Sequence, residues 1–209
     1  MAAEFFMTIG DVSQLQDIFN GVFLKGRREP RIAMVGRSNV GKSSLINALL
    51  ETTLARVSGE PGKTRCLHLY DWKTLKKIVV DLPGYGFAKA GHAERDKWAD
   101  FINAYLKRDP GLERALVLLD ARHGPTELDK EAIKFLSFES VPVTFVFTKA
   151  DALKTQKERS ARRKEASAAL LALGYEPKDA FWVSAKTKDG LKPLLLELAK
   201  TSAAPIAME

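Results

Sequence analysis

A chain of 209 residues with 45% hydrophobic side chains can bury one good core and is too short for two ordinary domains, so one compact α/β domain is expected; the chain is also expected to be a monomer, which its length does not decide. Its formal charge of +7 favours approach to a polyanion such as RNA or an anionic membrane surface, while the lone Cys66 excludes a disulfide framework and a multi-cysteine metal site and points to a reducing, cytoplasmic compartment. No apolar run approaches the roughly 20 residues needed to span a bilayer, the start MAAEFFMTIG lacks a signal-peptide layout, and neither Ala2 nor the ending PIAME carries a lipid-anchor signal, so a soluble chain without a membrane anchor is expected.

Residues 1–30 read as a peripheral extension, a short helix and a basic linker: Asp11 and Gln14 have capping-box-like spacing before Leu15 and Phe19, and the turn-rich GRREPR follows. The apolar run 32–36, IAMVG, reads as the first core strand. It opens into Gly36-Arg37-Ser38-Asn39-Val40-Gly41-Lys42-Ser43, which fits G-x-x-x-x-G-K-[ST], and Ser44 and the helical stripe Leu45, Ile46 and Leu49 follow. Glycines at these places let the backbone wrap closely, so that successive N–H groups and a helix N-terminus face a β-phosphate. Lys42 supplies a point charge to the β/γ oxygens, and Ser43 a hydroxyl for Mg2+. In the polar connection beyond, Gly62, Lys63 and Thr64 lie where a threonine can close over the same ion.

The segment 66–72, CLHLYDW, is too near the next run, 77–82 KIVVDL, for a helical crossover and is expected to pair antiparallel with it. Asp81-Leu82-Pro83-Gly84 closes that run, placing a carboxylate at the C-terminal edge of the sheet, where open α/β sheets bind ligands. Asp81 can hold the Mg2+ shell and Gly84 can give its N–H to a γ-phosphate, and YGFAKAG after it can rearrange when that contact is lost. Trp98, Phe101, Ile102 and Tyr105 mark a helix, and 115–120, ALVLLD, a further strand.

Thr148-Lys149-Ala150-Asp151 ends the strand pattern 143–149. Asp151 suits guanine, because a carboxylate only accepts hydrogen bonds and guanine presents adjacent N1–H and N2–H donors, whereas the stem of Lys149 can cover one face of the base. The stretch 153–165 holds Lys154, Lys157, Arg159, Arg162, Arg163 and Lys164 against Glu158 and Glu165, a local net of +4 with little apolar face. It reads as a solvent-projecting helix able to meet RNA phosphates, and Arg27, Arg28 and Arg31 are candidates to extend it. The last strand, 181–185 FWVSA, leads into Ser184-Ala185-Lys186, whose backbone N–H can meet the guanine O6. Leu191, Leu194, Leu195 and Leu198 form a final helix stripe. His68, His92 and His123 have no metal-ligand spacing.

The expected architecture is α/β: a Ras-like P-loop domain over 31–200 with a mostly parallel six-stranded sheet, one antiparallel edge strand and helices on both faces, then a tail, 201–209. The motifs GRSNVGKSSLINALL, PGKT, DLPGYGFAKA, the DARHGP turn at 120–125, TKAD and SAK together resemble the EngB/YihA/YsxC family of bacterial GTPases, over roughly residues 20–200. That resemblance implies GTP and Mg2+ binding at these boxes, a role in assembling the large ribosomal subunit, and a link to cell division and septation. Phe87, where the family often has tyrosine, and Arg65 after the threonine are mild departures.

Lys42, Thr64, Gly84 and Asn39 are the candidate catalytic residues. Ras-like signalling proteins carry a glutamine after D-x-x-G to orient water, and Tyr85 stands there instead. Slow intrinsic hydrolysis is therefore expected, with Arg37 and Arg65 weighed as internal arginine fingers. Asn39 occupies the P-loop place at which related Era/TrmE-type GTPases hold K+. Two other readings stand beside the ribosomal one: a signalling GTPase acting on a protein partner in cell division, and a P-loop ATPase or nucleotide kinase, which Asp151 disfavours.

Overall fold

Strand β2, Arg31–Gly36, is buried at every position because both of its faces are covered. Ile32 and Met34 join one apolar layer, and Ala33 and Val35 the other. The same division runs through β5, Leu112–Asp120, and β6, Val143–Thr148: Leu116, Leu118 and Val146 lie with Ile32, while Val117, Leu119, Phe145 and Phe147 lie with Ala33. Helices α1, Lys42–Leu50, and α5, Leu191–Ala199, close the first face through Leu45, Ile46, Leu49, Leu191, Leu194 and Leu198. On the opposite face lie α2, His92–Arg108, α3, Glu127–Phe138, and α4, Gln156–Ala172, which contribute Phe101, Tyr105, Ile133, Leu136 and Leu170. The computed structural model that gives this arrangement describes residues 3–15, 29–55, 66–86 and 92–200.

With β1, Ala3–Ile9, β3, Leu67–Trp72, β4, Lys77–Asp81, and β7, Ala180–Trp182, the sheet has the order β1-β3-β4-β2-β5-β6-β7. The α/β class, the parallel core and the antiparallel β3–β4 hairpin are as expected. Strand number is corrected from six to seven, and the edge passes from β3 to β1, which pairs antiparallel with β3. Residues 3–9 thus join the sheet and Leu15 packs in the core, whereas 16–28, where the expected short helix and basic linker continue, lie outside the described residues. Phe6 is skipped in the β1–β3 register. That bulge explains how Ala3 and Ile9, six residues apart, join opposite layers, since in a regular strand they would share a face. The Asp11/Gln14 spacing does form a small reciprocal cap: Gly10 N and Asp11 N donate to Gln14 Oε1 at 2.9 and 3.2 Å, and Ser13 N donates to Asp11 Oδ1 at 2.8 Å. Only a three-residue 3-10 turn, Val12–Gln14, is described there, and Phe19 lies outside the described residues.

At the N-terminal edge of the parallel strands, buried charges seal the sheet. Arg31 Nε donates to both oxygens of Asp109 at 2.7 and 2.8 Å, and Lys77 pairs with Glu113 at 2.7 Å. Arg31 therefore does not extend a surface basic patch; its guanidinium is held inside by a carboxylate 78 residues away. Arg27 and Arg28 lie outside the described residues. The opposite, C-terminal edge carries the loops that build the site.

Candidate functional site

The loop between β2 and α1 turns on Gly41, whose φ of 109° is a backbone region that L side chains rarely adopt. Val40 is anchored in the apolar layer beneath, and Leu45 N donates to Gly41 O at 2.9 Å to begin α1. Lys42 folds back over the loop: its buried Nζ donates to Gly36 O at 3.1 Å and Arg37 O at 3.2 Å. Burial pulls its pKa down to about 8, against the pull of Asp81 in the other direction. Ser43 and Ser44 are half-buried beside it.

Asp81 ends β4 and is 4% exposed. Burial pushes its pKa up to about 6, with Lys42 opposing, and its buried Oδ1 has no hydrogen-bond partner. A carboxylate oxygen left bare inside the protein lacks a cation or donor. With the Ser43 hydroxyl at the head of α1, the donor set fits Mg2+, which typically takes one or two protein oxygens and fills its shell with water and phosphate. No group of three or more His, Cys, Asp or Glu able to hold a metal is found among the described residues.

Leu82 and Pro83 are buried, and Gly84 packs directly on the phosphate loop. A Cβ there would lie 2.6 Å from Ser38 N and 2.7 Å from Lys42 Nζ. The segment is tied down on both sides: Ser38 N donates to Tyr85 O at 3.0 Å and Ser38 Oγ to Gly84 O at 3.2 Å. Gly84→Ala is therefore expected to lift residues 84–86 off the loop, at a cost of about 1–3 kcal/mol. In hydrogen exchange the Ser38 amide should lose protection while β2 and β5 keep theirs, and full retention at Ser38 would count against the contact. Tyr85 does not lie open to orient water, because its Oη donates to Asp129 Oδ1 at 2.8 Å. Nor does Arg37 stand as a free arginine finger, since its Nε forms an ion pair with Asp129 Oδ2 at 3.2 Å.

The segment after β6 is stapled to the phosphate loop. Thr148 Oγ1 donates to Val40 O at 2.6 Å, and Lys149, in left-handed backbone with φ 58°, donates from Nζ to Asn39 O at 2.6 Å. Asp151 Oδ1 accepts from Ser184 Oγ at 2.7 Å, and Ser184 Oγ accepts from Thr187 N at 3.0 Å, so the Asp151 and Ser184 motifs meet. Ala185 is half-buried and Lys186 exposed. The structure adds Asp120, at the end of β5, which accepts from Lys149 Nζ at 3.0 Å and from Arg122 Nε and Nη2 at 2.9 and 2.7 Å. Burial works to raise its pKa, but Arg122 and Lys149 outweigh burial and hold it well below the usual carboxylate range. Its signal in the sequence was the one Asp81 gave, an acidic residue closing a buried strand.

Gly62, Lys63, Thr64, Arg65 and Phe87 lie outside the described residues. The basic stretch begins exposed, behind a Thr155–Glu158 capping box. Much of its charge has local partners: Arg159 Nε donates to Leu153 O at 2.9 Å, Arg162 pairs with Glu165 at 2.6 Å, Arg163 lies 5.5 Å over the Trp182 ring, and Lys154 Nζ donates to Asp151 O at 3.1 Å. Lys157 and Lys164 are exposed. No helix among the described residues is long and apolar enough to cross a membrane.

A family profile described as 50S ribosome-binding GTPase matches residues 31–149. A probable GTP-binding protein EngB of Desulfovibrio desulfuricans is 46% identical over 143 residues, covering 68% of this chain and 71% of that protein. Among solved structures, a probable GTP-binding protein engB superposes with TM-score 0.62 at 24% identity over 81% of this chain and 98% of that one. An Era variant of Aquifex aeolicus bound to GDP·AlF4− gives 0.67 at 26% identity, over 82% of this chain and 56% of that one.

Proposed function

The chain belongs to the EngB family of GTP-binding proteins, which are P-loop GTPases, and from that premise we propose that it uses GTP hydrolysis as a conformational switch in assembly of the large ribosomal subunit. The observation that carries the switch is the meeting, at one sheet edge, of the Lys42 ammonium, the bare Asp81 oxygen and the Asp151–Ser184 pair. In this reading the backbone of Gly36, Arg37, Ser38, Asn39, Val40, Gly41 and Ser44 wraps the phosphates, and Lys42 neutralises the β/γ oxygens. Ser43, Asp81 and Thr64 hold Mg2+, with Gly62 and Lys63 carrying the threonine into place. Bound Mg2+ supplies charge neutralisation at the phosphates. Leu82 and Pro83 lead to Gly84, which senses the γ-phosphate; Thr148, Lys149, Asp151, Ser184, Ala185 and Lys186 hold guanine. In this reading the protein works in the cytoplasm as a monomer and is needed for normal cell division and septation.

With Tyr85 turned to Asp129, no side chain described at the site orients the attacking water, which supports slow intrinsic turnover and help from outside. Asn39 is exposed at the loop tip with φ 62°, the place assigned to K+. A fixed cation there would offset charge developing between the β- and γ-phosphates. Single-turnover GTP hydrolysis, measured in K+ and in Na+ at one ionic strength with and without large ribosomal subunits, tests both parts. K+ and subunits are each expected to speed the reaction, with Asn39→Ala erasing the K+ difference. Equal rates in all four conditions, without salt-sensitive cosedimentation, would sink the ribosomal reading in favour of a protein partner in cell division. The local pairing of Arg159, Arg162 and Arg163 favours that second reading in one respect, because it leaves fewer charges for RNA.

A further inference from the structure

Asp129 is completely buried at the third position of α3, and its carboxylate serves more than one element. Oδ2 accepts from Thr126 N at 2.8 Å and Thr126 Oγ1 at 2.7 Å, the local capping that starts the helix. A capping box needs no more than that. Yet Oδ1 accepts from Tyr85 Oη at 2.8 Å, and Arg37 Nε of the phosphate loop lies 3.2 Å from Oδ2. One carboxylate thus joins the helix, the loop that wraps phosphate and the segment that follows Asp81-Leu82-Pro83-Gly84.

What it holds in place matters for a phosphate ligand. Gly84 is pressed on Ser38 N and on the Lys42 ammonium so closely that an added methyl would lie 2.6 and 2.7 Å from them. Tyr85 O takes the Ser38 N–H, and Arg37 and Tyr85 form a parallel β-bridge. The γ-oxygens of a nucleoside triphosphate approaching Lys42 compete with Gly84 for that space. A diphosphate brings no such group. The phenol itself is no base, since burial first and the Asp129 charge second push its pKa far above the ordinary tyrosine value and keep it a donor.

We propose that Asp129 is a positioning residue that latches Tyr85 and Arg37 together, holding residues 84–86 on the phosphate loop and so setting the preference for nucleoside diphosphate over triphosphate. This rests on the reading of the site as a guanine-nucleotide site. A ligand that must release the latch binds more weakly by the free energy of the broken contacts, and removing the latch returns that difference to the triphosphate.

The test is the ratio of dissociation constants for GDP and a non-hydrolysable GTP analogue, measured by calorimetry with Mg2+ on the full chain and on Tyr85→Phe and Asp129→Asn. Tyr85→Phe keeps the ring and deletes only the hydroxyl, so it answers the question even if Asp129→Asn, which also weakens a helix cap, fails to fold. The expected result is a shift of the ratio toward the triphosphate by about tenfold, the worth of one hydrogen bond to a charged group, with GDP affinity held within about twofold. An unchanged ratio overturns the latch while leaving the nucleotide site intact. Equal losses for both ligands overturn it as well, because they show a merely structural role. Failure of the wild-type protein to bind either ligand overturns the nucleotide reading and the latch with it.

Discussion

Asp151→Asn is expected to lower affinity for GTP by about 100-fold or more and to raise affinity for xanthosine triphosphate by a comparable factor. In this reading guanine N1–H and N2–H both meet the carboxylate, and the amide removes one acceptor together with the charge that assists both bonds, which are worth about 1.5–3 kcal/mol each, against about 1.4 kcal/mol per tenfold in affinity. The surroundings predict that the exchange leaves the pocket standing. Asp151 Oδ1 is already fixed by the Ser184 hydroxyl at 2.7 Å, and that hydroxyl is fixed in turn by Thr187 N at 3.0 Å. An asparagine keeps the acceptor that Ser184 needs and presents its NH2 where the second carboxylate oxygen stood. Xanthine, with a carbonyl at C2, then finds a donor. Competition of both triphosphates against a fluorescent GDP reads the exchange directly, and equal binding of GTP and xanthosine triphosphate by the wild type would remove Asp151 from base recognition.

The parallel strands were legible because strands covered on both faces become continuous apolar runs, and Gly36, Asp81 and Thr148 were legible because each closes such a run at the C-terminal edge of the sheet. β1 escaped for a physical reason: the bulge at Phe6 breaks the period of two, so AEFFMTI shows no alternation for a half-buried strand. Arg31 looked like surface charge because Asp109, which buries it, lies 78 residues away. The spacing Thr126-x-x-Asp129 is a legible helix start, but nothing near it in the chain announces Tyr85, 44 residues upstream. Local rules found the parallel strands and the loops that follow them; pairings across the fold decided where the charged side chains sit. Asp120 lay between these cases, visible as an acid closing β5 yet given meaning only by Lys149 and Arg122.

Lys42→Met is expected to weaken both GDP and GTP by about 100-fold or more, the loss of ~3 kcal/mol that follows removal of a buried charge partner from a phosphate, while the nucleotide-free protein melts at the same temperature or higher. The second half follows from the lysine's surroundings. Its ammonium is buried with two loop carbonyls as hydrogen-bond partners, and burial drags its pKa from 10.5 to about 8 even with Asp81 nearby. A proton held less tightly in the folded state than in the unfolded one opposes folding below about pH 8, and the opposition fades as pH rises from there toward 10.5. The wild type should therefore gain stability across that window, and Lys42→Met, of similar length and without charge, should show no such gain. Stability given up for a site is recovered when the site is emptied of its charge. Thermal melts of both proteins from pH 7 to 10, beside nucleotide titrations at pH 7, separate the alternatives: a lower melting temperature with nucleotide affinity retained would make Lys42 a strut of the loop rather than the charge that meets phosphate.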